Sequence, residues 1–197
     1  MVPPPYDTSH LHVGLWCFLI AVGSIFIIRR YFVRFSVLQV PRQLGSQVLA
    51  DVQDGRPWSL YWWGLLTWGG LVSALHFIGL GSGLYAQFPW WDLMTHSMSG
   101  AGVGGIVLVG LRGAAPARPS LGWVLVVLLA IGTSFEVYEY VFKSFWHSWT
   151  VSVYARDTLV DLVMNWSGGV LSLLCYRTRS AVSVDSSKQV RHSHGDD

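Results

Sequence analysis

Apolar residues run along this chain in five long blocks separated by short polar segments. The blocks lie near Leu11–Phe32, Trp58–Leu80, Asp92–Leu111, Leu121–Phe142 and Asp157–Tyr176. Each approaches or exceeds the roughly 17 to 25 residues that a helix needs to cross the hydrocarbon of a bilayer. Backbone polar groups in lipid must be satisfied within their own segment, so the blocks are predicted to be transmembrane helices. The fourth and fifth are interrupted by carboxylates, which lowers their hydropathy. Between the first two blocks, Leu44, Val48, Leu49 and Val52 fall at helical spacing within Pro41–Asp54. That spacing suits either a short amphipathic helix on the membrane surface or an irregular loop. From Thr178 the chain turns to Ser, His and Asp and has too few apolar residues to fold. The expected organisation is one all-α, five-helix transmembrane bundle over residues 1–177 and a disordered cytoplasmic tail over 178–197.

Composition makes lipid the natural solvent. The chain is 52% hydrophobic and only 12% charged, about half of the roughly one quarter found in soluble domains. Of the 13 Lys and Arg residues, all but Lys143 and Arg156 fall on one side of the predicted topology. The positive-inside rule then places the N-terminus outside and the C-terminus in the cytoplasm. The N-terminal segment Met1–Asp7 lacks a basic n-region, so the first block is expected to remain as a helix. A net charge of +2, spread over loops, excludes nucleic acid as an expected partner and leaves membrane lipids. Tyr85, Phe88, Trp90 and Trp91, with Phe145, Trp146, Trp149 and Tyr154, fall at the outer helix ends, where aromatics suit the headgroup region. Cys17 and Cys175 carry no metal or redox spacing and are expected to be inert core thiols near opposite faces.

Charged groups inside a bilayer are costly and rare, so their positions are informative. At about 1.5 Å per residue, His76 lies about 27 Å from the inner end of its helix, and Glu136 and Glu139 about 22 and 27 Å. Asp92 and His96 open the third helix from outside. Asp157 and Asp161 open the fifth, with Asn165 one turn deeper. All fall in the outer half. Asp92 and His96 are spaced i,i+4, Glu136 and Glu139 i,i+3, and Asp157, Asp161 and Asn165 i,i+4,i+8, so each set shares a helix face. The His96 face continues through Gly100 and Gly104, and the Asp161 face through Gly168 and Gly169. Small residues let helices approach closely in lipid, which turns these stripes toward neighbouring helices.

Plainer roles exist for several of these residues. Asp92 and Asp157 suit helix capping, Asn165 an interhelical hydrogen bond, and His76 a satisfied core histidine, while Lys143 and Arg156 suit interfacial neutralisation. Glu136, Glu139 and Asp161 resist a plain reading, because three deep carboxylates without cations repel one another. A divalent metal with mixed oxygen and nitrogen ligands resolves that charge, and so do carboxyls that stay protonated as in a proton relay.

Asp92-x-x-x-His96 followed by Gly100, then Glu136-x-x-Glu139, then Asp157-Thr158-x-x-Asp161-x-x-x-Asn165-x-x-Gly168 resembles the YjdF-like family of small bacterial and archaeal membrane proteins. The pattern is more distantly similar to the VanZ-like family, where Gln tends to stand at the place of Glu139. The resemblance implies one site in a multi-pass protein of the bacterial or archaeal cytoplasmic membrane, and it supplies no reaction. The expected site has His96, Glu136, Glu139 and Asp161 as metal ligands or acid/base groups, with Asp92, Asp157 and Asn165 in support. The expected function is divalent-metal binding coupled to action on a lipid or cell-envelope substrate. Its rivals are a proton-coupled or ion transporter and a non-catalytic scaffold subunit.

Overall fold

The computed structural model describes residues 10–32, 39–53, 55, 58–112, 120–143 and 148–193, the last of these in backbone alone from 179 onward. Regular structure among them is helical throughout: α1 (Leu11–Ile27, continued by a π-helical turn over Ile28–Phe32), α2 (Val40–Gln53), α3 (Ser59–Ser82), α4 (Leu84–Gln87), α5 (Pro89–Gly110), α6 (Leu121–Phe142) and α7 (Val151–Ser193). Five stretches are long and apolar enough to cross a membrane: Leu11–Tyr31, Ser59–Ser82, Pro89–Gly110, Leu121–Phe142 and Val151–Thr178. The chain is therefore an all-α, five-span membrane protein, as the hydrophobic blocks predict.

Two helices begin earlier than their apolar blocks. α5 starts at Pro89, where a missing N–H costs nothing and the fixed φ suits a helix. Asp92 therefore stays in a first turn. α7 starts at Val151, which puts Asp157 nearly two turns inside the helix and removes capping as its explanation. At its other end α7 continues in backbone to Ser193, over most of the tail expected to lack structure. Extending a helix that is already nucleated costs far less than starting one. Residues 194–197 lie outside the described residues.

The tightest packing joins α5 to α7. A Cβ on Gly100 would run into the Asn165 backbone, and one on Gly168 into the Ser97 carbonyl. Hydroxyls lock the same seam: Ser172 Oγ donates to the Ala101 carbonyl at 2.7 Å, and the Ser97 and Ser167 hydroxyls lie 3.2 Å apart. Small residues at the interface and interhelical hydrogen bonds are what hold helices together where lipid removes the hydrophobic driving force. An apolar cluster of Leu108, Trp123, Val124, Leu128 and Leu173 ties α6 to this pair. α1 leans on α6, with Gly14 against the Tyr140 ring. α3 is the most peripheral span and is attached mainly to α5, where Trp68 Nε1 donates to the Met98 carbonyl at 2.9 Å.

The amphipathic reading of Pro41–Asp54 is the one realised, as α2, which packs on α3 and α5. Cys17 is buried and Cys175 exposed, both as free thiols. The expectation of a core thiol holds for Cys17 alone.

Candidate functional site

Asp92 and His96 sit one turn apart on α5, and α7 presents Asp157, Asp161 and Asn165 at successive turns. The glycine seam brings the two faces into contact. His96 Nε2 lies 3.4 Å from Asp92 Oδ1 and 3.6 Å from Asp161 Oδ2. Its other nitrogen, Nδ1, is 3.4 Å from Asn165 Nδ2. In that orientation the amide donates to Nδ1 and the ring proton sits on Nε2, facing the two carboxylates. A half-turn of the amide would present Oδ1, move the proton to Nδ1 and free the Nε2 lone pair. One ligand atom each from Asp92, His96 and Asp161 lies within 4.8 Å of the others, a grouping that could hold a metal ion. Asp161 is only 2% exposed, and its Oδ1 has no hydrogen-bond partner among the described residues.

These residues line one side of a cavity of about 880 Å³ bounded by α3, α4, α5, α6 and α7. Glu139 reaches it from α6, Asp157 from α7 and His76 from α3. Glu139 and Asp161 thus meet in one pocket, as the sequence leads one to expect. His76 Nδ1 lies 2.7 Å from the Tyr85 hydroxyl, which is 3.5 Å from Thr95 Oγ1, and Thr95 donates to the Asp92 carbonyl at 2.9 Å. Burial pushes the Tyr85 hydroxyl pKa up, which keeps it protonated as a hydrogen-bonding partner of His76. His76 is therefore a satisfied histidine that also lines the site.

Glu136 is placed differently. It is 1% exposed, accepts a hydrogen bond from Thr158 at Oε2 (3.0 Å) and keeps Oε1 without a partner, but it is not among the residues lining the cavity. Three residues advance a helix by about 300°, so Glu136 and Glu139 point about 60° apart. That is enough to send one toward α7 and the other into the pocket.

No Lys or Arg among the described residues lines the cavity. Among the described residues, neither Lys143 nor Arg156 forms an ion pair with these carboxylates, and Lys143 lies over the Tyr138 ring instead. Of the expected outer aromatics, Tyr154 is buried in the bundle and Tyr85 belongs to the site, while Phe145 and Trp146 lie outside the described residues. Sequence reasoning missed Tyr85, Thr95 and Thr158. Thr158 stood there only as a motif position and Tyr85 only as an interfacial aromatic, and nothing pointed to Thr95.

A third buried carboxylate, which sequence reasoning also missed, occupies the opposite end of the bundle. Asp51 on α2 is fully buried and accepts from Arg112 Nη2 (2.5 Å), Trp62 Nε1 (2.8 Å) and Gln47 Nε2 (3.2 Å). Arg112 also donates to the Val109 carbonyl at 2.8 Å and stacks 4.8 Å from the Trp58 ring centroid. Burial alone would raise the Asp51 pKa, but these donors outweigh it and hold the carboxyl below its ordinary range.

A family model described as "Predicted membrane protein (DUF2238)" matches residues 56–181, and the chain belongs to that family. The match spans α3 to α7 and so contains every residue of the cavity, whereas α1 and α2 precede it. No curated protein and no solved structure matches the chain.

Proposed function

We propose that this family member binds a divalent cation through Asp92, His96 and Asp161 and uses the cavity to act on a lipid or cell-envelope substrate. In this reading Asp92 is a ligand and not merely a support. Glu139, across the cavity, is the acid/base candidate, and Glu136 and Asp157 set the local charge. Asn165 fixes the imidazole from behind, as partners of metal-bound histidines do. The chain lies in the cytoplasmic membrane with its N-terminus outside, and its motif pattern puts it with the YjdF-like proteins.

One observation carries the reading: two carboxylates and an imidazole from two helices converge in one pocket where, among the described residues, no Lys or Arg pairs them. Such a group needs a positive charge from elsewhere. Two oxygens and one nitrogen suit Mn, Fe, Mg or Zn, with positions left open for water or substrate. The test is elemental analysis of detergent-purified protein after equilibration with Mn²⁺ or Zn²⁺. Stoichiometric metal in the wild type and in Glu139→Gln, lost in Asp161→Asn, supports the proposal. A metal-free wild type overturns it.

The two carboxylates facing Nε2 support a second reading, in which Asn165 presents Oδ1 to Nδ1–H and a protonated His96 bridges Asp92 and Asp161 as a proton-handling ion pair. It predicts no metal, together with a His96 ring whose charge state, followed by NMR, reverts toward that of a free imidazole in Asp161→Asn.

A further inference from the structure

We infer that the cavity is loaded sideways, from the bilayer, and that its occupant is a chain-bearing amphiphile such as a phospholipid. This rests on the proposed site as the place where the headgroup is held. Among the described residues, α3 packs substantially on α2, α4 and α5, and α6 on α1, the π turn, α5 and α7, but α3 and α6 share no substantial contact. The cavity fills the gap between them. Phe77 on α3 is 70% exposed and Phe135 on α6 is 42% exposed, yet both line the cavity. The walls of the gap thus face the cavity and the outside of the bundle at once. These residues lie about 8 to 10 Å inside their helix ends, at a depth where the outside is hydrocarbon.

The lining is divided in the same way as an amphiphile. The carboxylates and His96 stand on α5, α6 and α7, whereas Val72, Phe77, Val103, Leu128 and Ile131 make most of the remaining lining apolar. A volume of about 880 Å³ falls in the range of pockets that enclose most of a bound small molecule. A soluble polar ligand gains nothing from an opening onto lipid, whereas an acyl chain crosses it without leaving hydrocarbon.

Leu128 makes the idea testable, because it lines the cavity but is only 3% exposed. The full chain is placed in nanodiscs containing a phospholipid with a diazirine in its acyl chain, irradiated, and mapped by mass spectrometry. Adducts at Leu128 or Val103 are expected beside those at outward-facing residues such as Leu159. Val72→Trp, and separately Ser73→Trp, fill the opening and should abolish the inner adducts while leaving Leu159 labelled and the melting temperature unchanged. Labelling confined to outward-facing residues in the wild type overturns the inference, and so do inner adducts that survive in both folded Trp variants. Metal content measured on the same samples separates the two proposals: inner adducts in a metal-free wild type would overturn the cation site and leave lateral access standing.

Discussion

Asp51 and Asp161 are the same residue type, almost equally buried at 0% and 2% exposure, at opposite ends of one bundle. Their surroundings differ in every other respect. Asp51 meets a guanidinium, an indole N–H and an amide, so its charge is balanced and both oxygens are occupied. Asp161 shares a single imidazole with Asp92 and keeps one oxygen without a donor. A buried polar group costs free energy until its bonds are made. Where the protein makes them all, the group serves the fold and has nothing left to bind. Where it leaves them open and adds neighbouring carboxylates, the group keeps capacity for a partner, the premise of the proposed cation site.

The contrast can be tested from its strongest consequence to its weakest. Asp51→Ala strands the Arg112 charge and should destabilise the detergent-solubilised protein by about 3 kcal/mol in denaturant titrations. An effect as small as that of a surface substitution would dissolve the distinction. Acid should act on the same anchor: the folded Asp51 carboxyl titrates below its ordinary value. Its contribution is therefore complete above the unfolded value of about 4 and is lost as pH falls through the folded value. In Asp51→Asn that acid-dependent loss should shrink when melting is followed from pH 7 to pH 3. At the other end, Asn165→Leu removes the group that orients His96 and should weaken metal binding about tenfold, or ~1.4 kcal/mol, by isothermal titration. The smallest effect is on folding there. Asp161→Asn relieves carboxylate repulsion and should change stability by less than about 1 kcal/mol, even as it abolishes the bound ion.

The spans were legible because lipid leaves a chain no alternative: Leu11–Tyr31 through Val151–Thr178 follow the apolar blocks closely. The α5–α7 seam was legible too, since Gly100, Gly104, Gly168 and Gly169 share faces with His96 and Asp161. Spacing along one helix could not tell which neighbour each face meets. Glu136 and Glu139 read as a pair yet divide between Thr158 and the cavity. Asp51 was invisible for a different reason. A carboxylate on an amphipathic helix reads as solvent-facing, and its partner Arg112 is 61 residues away.

The close fit of α5 against α7 also decides how the molecule can change shape. Backbones in direct contact, with hydroxyls bridging them, leave no side-chain layer to slide or repack, so this pair must move as a rigid rail. α3 has the opposite character: Gly64, Gly69, Gly70 and Gly81 face open space, and of the five spans it is the least enclosed. Any breathing of the bundle is therefore expected at α3, whose displacement from α5 would give up the least packing.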